Sequence, residues 1–103
     1  MQNHMTNLEL TVGMMNSADY KERFKAEYWQ TKIRYERLKA FNTKIEAAEW
    51  MRISNQEFEM PKHDCPERLL KDQQKIMGEY LHILEVRAEI EGIDLKEERK
   101  DGK

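Results

Sequence analysis

The residues of this chain best suited to chemistry are cations that stand among aromatic side chains. Trp29, Arg34 and Arg37 fall within one charged stretch, and Arg87 follows much later in the chain. Guanidinium groups bind phosphate through paired hydrogen bonds, and an indole ring offers a face on which a base can stack. These four residues are therefore the candidates to bind a small anionic ligand.

Both features also have a plainer interpretation. The charged stretch is typical of a solvated helix face that lies beside a core stripe. Arg87 falls close to an apolar stripe, and such an arginine commonly extends along the surface to pair with an acid, here Glu91 or Glu36. The sequence leaves these alternatives open.

Two further patterns have the residue types of metal or nucleophile chemistry. Glu79 and His82 have the E-x-x-H spacing that di-iron bundles use twice, together with two further glutamates. His63 and Cys65 lie two residues apart near a predicted helix start, where a thiol can become a nucleophile. The first pattern needs a second chain and inward-facing side chains, and the second lacks an orienting third residue. We therefore predict a non-enzymatic protein with no catalytic site, no metal site and no cofactor.

The first element that positions these residues is a long helix, predicted over residues 17–53. This range contains no glycine or proline, and apolar side chains recur there at steps of three and four, as on one helix face. Ser17 or Asp19 is the predicted N-terminal cap. The apolar stripe consists of Phe24, Tyr28, Thr31, Tyr35, Leu38, Phe41, Ile45 and Ala48.

The second element is a helix predicted over residues 66–91, after a connector at residues 54–65. Pro61 and Pro66 exclude one continuous helix through this region, and a proline at position 66 suits the first turn of the new helix. Gly92 is expected to end it, as in a glycine C-cap. The predicted inward face contains Leu69, Leu70, Gln73, Ile76, Met77, Tyr80, Leu84 and Ala88, and it is broadened by Leu81, Ile83 and Ile90.

The predicted fold class is therefore all-α, a long antiparallel helical hairpin over residues 17–95 with a short N-terminal arm. Two helices bury little apolar surface, and small domains of this kind depend on association. We expect the hairpin to assemble into a homo-oligomeric helical bundle in which copies of the chain cover one another.

The two ends of the chain carry weaker patterns. In the arm, residues 1–16, Leu8 and Leu10 alternate with polar residues, which is the periodicity of a strand, whereas a disordered leader is the plainer interpretation. Residues 96–103 are charged and have no apolar anchor, so we expect a disordered tail.

Composition limits the classes of function. The chain has 103 residues, 37% of them charged, and a formal net charge of −2, which provides no basic field for duplex nucleic acid or an anionic membrane. No run approaches the ~18 apolar residues of a spanning helix, and the N-terminus lacks a secretion-signal pattern. The single cysteine, Cys65, excludes an internal disulfide framework and suits a reducing compartment. We expect a cytoplasmic protein.

Two segments have a more particular sequence. Residues 20–41 read YKERFKAEYWQTKIRYERLKAF, and residues 64–95 begin with DCPERLL and end with RAEIEGIDL. They resemble a family of small helical-hairpin proteins from phages and prophages, including those of crAss-like and Firmicute phages. The second helix of that family has a pattern LL-x-x-Q-x-x-x-M-x-x-Y-x-x-L-x-x-R. In this chain the matching residues are Leu69, Leu70, Gln73, Met77, Tyr80, Ile83 or Leu84, and Arg87.

More distantly, the chain is similar to the hairpins of phage anti-CBASS and anti-Thoeris sponges, which share its size and an Arg-Ala pair late in the second helix, here Arg87-Ala88. Those proteins are oligomers that sequester nucleotide signals of bacterial immunity. The resemblance implies a phage anti-defence protein that acts in the host cytoplasm and binds an anionic cyclic nucleotide. The alternative is an inhibitor that binds a host or phage protein directly, as anti-CRISPR proteins do.

Overall fold

The computed structural model describes residues 8–54 and 59–96. Helix α1 spans Leu8–Met15, α2 spans Tyr20–Ile53 and α3 spans Glu67–Glu91. No strand occurs in these two described ranges, and the all-α prediction is confirmed. Both α1 and α3 pack against α2, which is the central element. None of the described helices combines the length and apolar character that a membrane crossing requires.

Capping side chains mark both ends of helix α2. The Asp19 carboxylate caps it by accepting a hydrogen bond from the Lys21 amide at 3.1 Å, which selects one of the two predicted caps. The helix ends at Ile53, and the hydroxyl of Ser54, the C-cap residue, donates back to the Trp50 carbonyl at 3.1 Å. At a rise of about 1.5 Å per residue, α2 is about 51 Å long and provides the axis of the molecule.

Helix α3 runs antiparallel to α2 and ends at the predicted glycine cap. Gly92 has a φ of 71°, in the left-handed region that favours glycine. The Ile93 amide then donates to the Ala88 carbonyl at 2.9 Å, and this turn buries the Ile93 side chain. Asn42, buried between the helices, donates to the Leu70 carbonyl at 3.2 Å and so fixes their register.

The apolar core lies at the end of the hairpin where α2 begins and α3 ends. Its edge is formed by the partly buried side chains of Trp29, Tyr35 and Leu95. Further along, the helices approach closely, because a Cβ atom on Gly78 would lie 3.3 Å from Cε1 of Tyr35. The buried core residues are Phe24, Tyr28, Leu81, Leu84, Ala88 and Ile93.

The structure corrects the predicted inward face of α3. Leu69, Ile76, Ile83 and Ile90 were expected to face inward but are 56%, 62%, 54% and 78% exposed, whereas Leu81 is buried as expected. Two apolar stripes compete in this sequence. The close approach at Gly78 and the hydrogen bonds of Asn42 favour the stripe that contains Leu81, although it is less continuous.

In the N-terminal arm, residues 8–15 form a helix and not the strand that their alternating pattern favours. A lone strand has no partner for its backbone groups, whereas a helix satisfies its own. Thr11 is fully buried and its hydroxyl donates to the Leu8 carbonyl at 2.7 Å, while Met15 accepts a hydrogen bond from Gln30 of α2. Residues 1–7 and 97–103, with the predicted leader and tail, lie outside the described residues.

Candidate anion-binding site

Arg87 is the candidate residue with the most complete set of contacts. Antiparallel pairing brings the last turn of α3 beside the first turn of α2. There Nη2 of Arg87 donates to the Tyr20 hydroxyl at 2.7 Å, and Nε donates to the Glu91 carboxylate at 3.3 Å. The Tyr20 hydroxyl donates to the same carboxylate at 2.9 Å. The guanidinium carbon lies 4.9 Å from the centre of the Phe24 ring, which is a cation–π distance.

Within this cluster, Arg87 keeps hydrogen-bond donors that no contact uses. The guanidinium group carries more N–H donors than these two bonds use, and the side chain is 47% exposed. The hydrogen bond to Glu91 raises the pKa of the Tyr20 phenol above its ordinary value, so this group stays a donor. Arg87 is thus a positioned cation with donors open to solvent. Its pairing with Glu91 agrees with the plainer interpretation, and its role in binding a ligand stays a prediction.

Arg34 lies on the same side of the hairpin as Arg87. The Tyr80 hydroxyl donates to the Glu27 carboxylate, and this contact marks one side of the two helices. Arg34 follows Glu27 by two helical turns, so it lies on the same stripe of α2. By the same spacing, Arg87 shares the stripe of Tyr80 on α3. Arg34 is ten residues beyond Phe24, or about 15 Å along α2 from the ring that Arg87 covers.

Arg37 lies next to Arg34 on the surface of α2, whereas Trp29 faces another direction. At about 100° per residue, Arg37 is turned by about 60° from Arg34 around α2, and Trp29 by about 140°. The indole is partly buried and meets the Tyr28 ring edge to face, with centroids 5.1 Å apart. Within the described part of the chain, the exposed guanidinium groups of Arg34 and Arg37 make no hydrogen bond or ion pair. A single chain therefore does not bring all four residues into one pocket.

A groove beside the core has a charge that does not suit an anion. It has a volume of about 410 Å³, is open to solvent, and brings three carboxylates together with a single lysine. Burial, and then a hydrogen bond of 2.8 Å to Glu85, raises the pKa of the Tyr28 phenol, which stays neutral. Repulsion by the carboxylates excludes this groove as a phosphate site. Its lining residues are Tyr28, Glu85, Ala88, Glu89, Ile93, Asp94, Leu95 and Lys96.

The side chains of the predicted metal and nucleophile patterns do not form a site in the described part of the chain. Among residues 8–54 and 59–96, no three His, Cys, Asp or Glu side chains are placed to share a metal ion. Glu79 is exposed and pairs with Lys75 at 3.6 Å. The His63 ring uses Nδ1 for a contact of 2.7 Å with the Cys65 carbonyl oxygen, so its described bond is to the backbone and not to the thiol.

Sequence reasoning missed Tyr20 and Phe24 as partners of Arg87. The available signal was the spacing of two pairs, Tyr20 with Phe24 and Arg87 with Glu91, each four residues apart at the open end of the hairpin. An antiparallel hairpin brings these turns together when the start of α2 lies level with the end of α3. Using that signal required the register of the two helices, which the sequence did not provide.

Comparison with known proteins identifies one family. The family model described as Sequestin matches residues 18–90, a range that covers all of α2 and all but the last residue of α3. The chain therefore belongs to the Sequestin family. No curated protein and no solved structure gives a significant match to it.

Proposed function

We propose that this member of the Sequestin family is a phage- or prophage-encoded anti-defence protein that binds and sequesters an anionic cyclic nucleotide of host immunity. The observation that carries the proposal is the family match across both long helices, since the family name refers to sequestration. The cluster around Arg87 supports it, because it holds a guanidinium group in place and leaves donors free for phosphate.

The mechanism is stoichiometric binding in the host cytoplasm, without a cofactor and without a chemical step. Arg87 supplies paired donors to one phosphate, and Arg34, on the same side of the hairpin, supplies a second cation. Arg37 lies beside Arg34, whereas Trp29 faces another direction in one chain, so in this proposal Trp29 reaches the ligand across a subunit boundary. The protein therefore acts as a homo-oligomer whose ligand sites lie where copies meet.

Electrostatics sets the conditions for binding. Glu91 competes with an incoming phosphate for the Arg87 guanidinium group, but it accepts only one hydrogen bond from Arg87, whereas a phosphate can accept two parallel ones. The groups are largely exposed, so salt screens their attraction and weakens binding. The chain has a net charge of only −2, so local cations and not a global field attract the ligand.

Titration calorimetry with a panel of cyclic mononucleotides, cyclic dinucleotides, cyclic trinucleotides and cyclic ADP-ribose tests the proposal. We expect one class to bind with a defined ratio to the chain and to be recovered unchanged after heat release. Absence of heat across the whole panel, at concentrations where the protein is folded, contradicts the proposal.

Variants locate the site. Arg87→Ala is expected to weaken binding at least tenfold, about 1.4 kcal/mol, and Arg87→Lys to recover only part of this because lysine lacks the paired donors. Arg52→Ala is the matched control, since Arg52 is an exposed arginine at the far end of α2. Equal losses for Arg52→Ala and Arg87→Ala would indicate non-specific charge attraction in place of a site.

A second candidate function is inhibition of a host defence protein by direct binding. The observation that favours it is a set of exposed apolar side chains along α3, a surface that protein partners cover. A pull-down from host lysate followed by heating separates the candidates. A stable protein partner favours the inhibitor, and a released small molecule that absorbs ultraviolet light favours sequestration.

A further inference from the structure

The outer face of α3 carries a regular row of exposed aliphatic side chains. Leu69, Ile76, Ile83 and Ile90 follow one another at intervals of seven residues, and we call them the outer row. They are 56%, 62%, 54% and 78% exposed. In a helical pair, a seven-residue interval keeps side chains along the seam that faces the partner. The outer row spans about 32 Å of helix.

This row is separate from the hairpin core. At about 100° per residue, it is centred about 140° around α3 from the buried Leu81 and Ala88. Ile83 and Leu84 are neighbours in sequence, yet Leu84 is 1% exposed and Ile83 is 54% exposed. One helix thus has an apolar stripe against α2 and a second stripe that no described residue covers.

We propose that the outer row is the surface through which two copies of this chain pair, with their α3 helices antiparallel. In this arrangement Leu69 packs on Ile90 of the partner subunit, and Ile76 packs on Ile83 of the partner subunit. The row is symmetric about its midpoint, so a second copy provides a row of the same length and spacing. The inference deepens the proposed function, on which it rests for its biological role, by naming the partner that assembles the oligomer.

Charges beside the row favour the antiparallel direction. The residue that precedes each member of the row is, in order, Arg68, Lys75, His82 and Glu89. These four occupy equivalent positions along one flank. Antiparallel pairing places this flank beside the same flank of the partner, so that Arg68 lies opposite Glu89 of the partner subunit. In a parallel pair the two copies of this flank lie on opposite sides of the seam, and Arg68 would lie beside Gln73 of the partner subunit, with no opposite charge to meet. Flanking charges of this kind set the orientation of paired helices.

The surface also has room for the partner's side chains. An apolar groove of about 380 Å³ lies along the first half of the row, lined by residues that include Leu69, Ile76 and Met77. In the antiparallel pair, Ile83 and Ile90 of the partner subunit enter this groove. Each α3 thus provides both the groove and the side chains that fill it.

Pairing at the outer row would place the Arg87 cluster at a subunit boundary. Arg87 lies one turn after Ile83 and one turn before Ile90, on the flank of the row that faces α2. The antiparallel pair brings Gln73 of the partner subunit opposite Arg87. Two equivalent Arg87 sites therefore form along one seam, at positions where a ligand can contact both chains.

The mass of the full-length protein in solution, measured without nucleotide by analytical ultracentrifugation, tests the pairing. We expect the wild type to sediment with an even number of chains, and Ile76→Glu and Ile83→Glu to reduce the mass to that of one chain with the helical circular dichroism retained. Ile53→Glu is the matched control, because Ile53 is 74% exposed on α2 and lies outside the row. If a glutamate variant fails to fold, Ile76→Gln replaces it.

Charge reversal tests the direction. Arg68→Glu is expected to raise the dissociation constant of the pair several-fold, and the double variant Arg68→Glu with Glu89→Arg to restore it. A wild-type monomer at about 100 µM, or an Ile53→Glu effect equal to that of Ile76→Glu, overturns the proposal. No recovery in the double variant overturns the antiparallel direction. A monomer that binds nucleotide leaves the proposed function standing, and a pair that binds none leaves the interface standing.

Discussion

The two faces of α3 contain similar aliphatic residues in opposite situations. The inner face encloses Leu81 and Leu84 but is interrupted by Gly78 and Gln74, whereas the outer face carries the more regular row from Leu69 to Ile90. Regular apolar spacing alone would assign the outer face to the core. The comparison shows that α2 determines which face of α3 is buried, because Tyr35 of α2 lies against Gly78 and Asn42 donates a hydrogen bond to Gln74.

The largest difference between the two faces should appear when neighbouring aliphatic residues are truncated. Leu84→Ala removes a side chain that is 1% exposed, so we expect a loss of about 2–5 kcal/mol of unfolding free energy at every protein concentration. Ile83→Ala should instead leave the isolated hairpin folded and weaken association. Urea unfolding at two protein concentrations measures both effects. Equal, concentration-independent losses would contradict the distinction between the faces.

The polar contact on the inner face provides the next test. Asn42→Ala leaves the Leu70 carbonyl and the Gln74 side chain without their described donor, which should cost about 1–3 kcal/mol of unfolding free energy. Thr43→Ala is the control, because Thr43 is exposed and its hydroxyl bonds within α2. That variant should stay within about 0.5 kcal/mol of the wild type in the same urea assay. Equal stability of the two variants would show that Asn42 does not set the register.

Replacing the glycine in α1 and the glycine that caps α3 should change the stability by smaller amounts and with opposite signs. Gly92→Ala forces a side chain into a φ of 71° and should destabilise the protein by about 1 kcal/mol. Gly13→Ala meets no atom within 4 Å and lies in α1, so it should stabilise that helix by up to about 1 kcal/mol. Thermal melting measures both changes. Stabilisation by Gly92→Ala would contradict the left-handed conformation of this C-cap and the buried position of Ile93 that depends on it.

The smallest expected effect is at the far end of the hairpin. A hydrogen bond to Glu67, followed by burial and the negative charge of Glu67, raises the pKa of Glu49 above its ordinary value of 4.5. The folded state therefore favours the protonated form, and this stabilisation is complete below about pH 4.5 and is lost as the pH rises through the folded pKa.

Glu49→Gln keeps a donor without the charge, so it should raise the Tm at pH 7 and leave it nearly unchanged at pH 4. Glu46→Gln, at an exposed glutamate one turn earlier, is the control. A larger gain at pH 4 than at pH 7 would have the wrong sign for this contact.

Much of the fold followed from local signals in the sequence. The absence of glycine and proline predicted α2, Asp19 was one of the two proposed caps, and Gly92 marked the end of α3. Residues 8–15 could not be assigned, because their helix is stabilised by packing on α2, which a local pattern does not contain. The rotation of α3 about its own axis could not be predicted for the same reason, since its two apolar stripes differ only in which residues of α2 pack against them.

The candidate site was predictable as residue types and not as an arrangement. The sequence identified Arg87 as a cation near the inner stripe and gave Glu91 or Glu36 as its partner, and the structure places Glu91 at 3.3 Å. The contacts with Tyr20 and Phe24 depend on the register between the helices. Trp29, Arg34 and Arg37 remain predicted ligand residues, and helical geometry places Arg37 beside Arg34 and directs Trp29 to another side of the chain.

The most direct test of the central claim, that this protein sequesters an anionic nucleotide between its own copies, is a native mass spectrum. The full chain is mixed with each member of the cyclic nucleotide panel at about physiological ionic strength. The account predicts a species with an even number of 12.5 kDa chains that carries intact nucleotide. A single chain that retains no nucleotide from any member of the panel would contradict it.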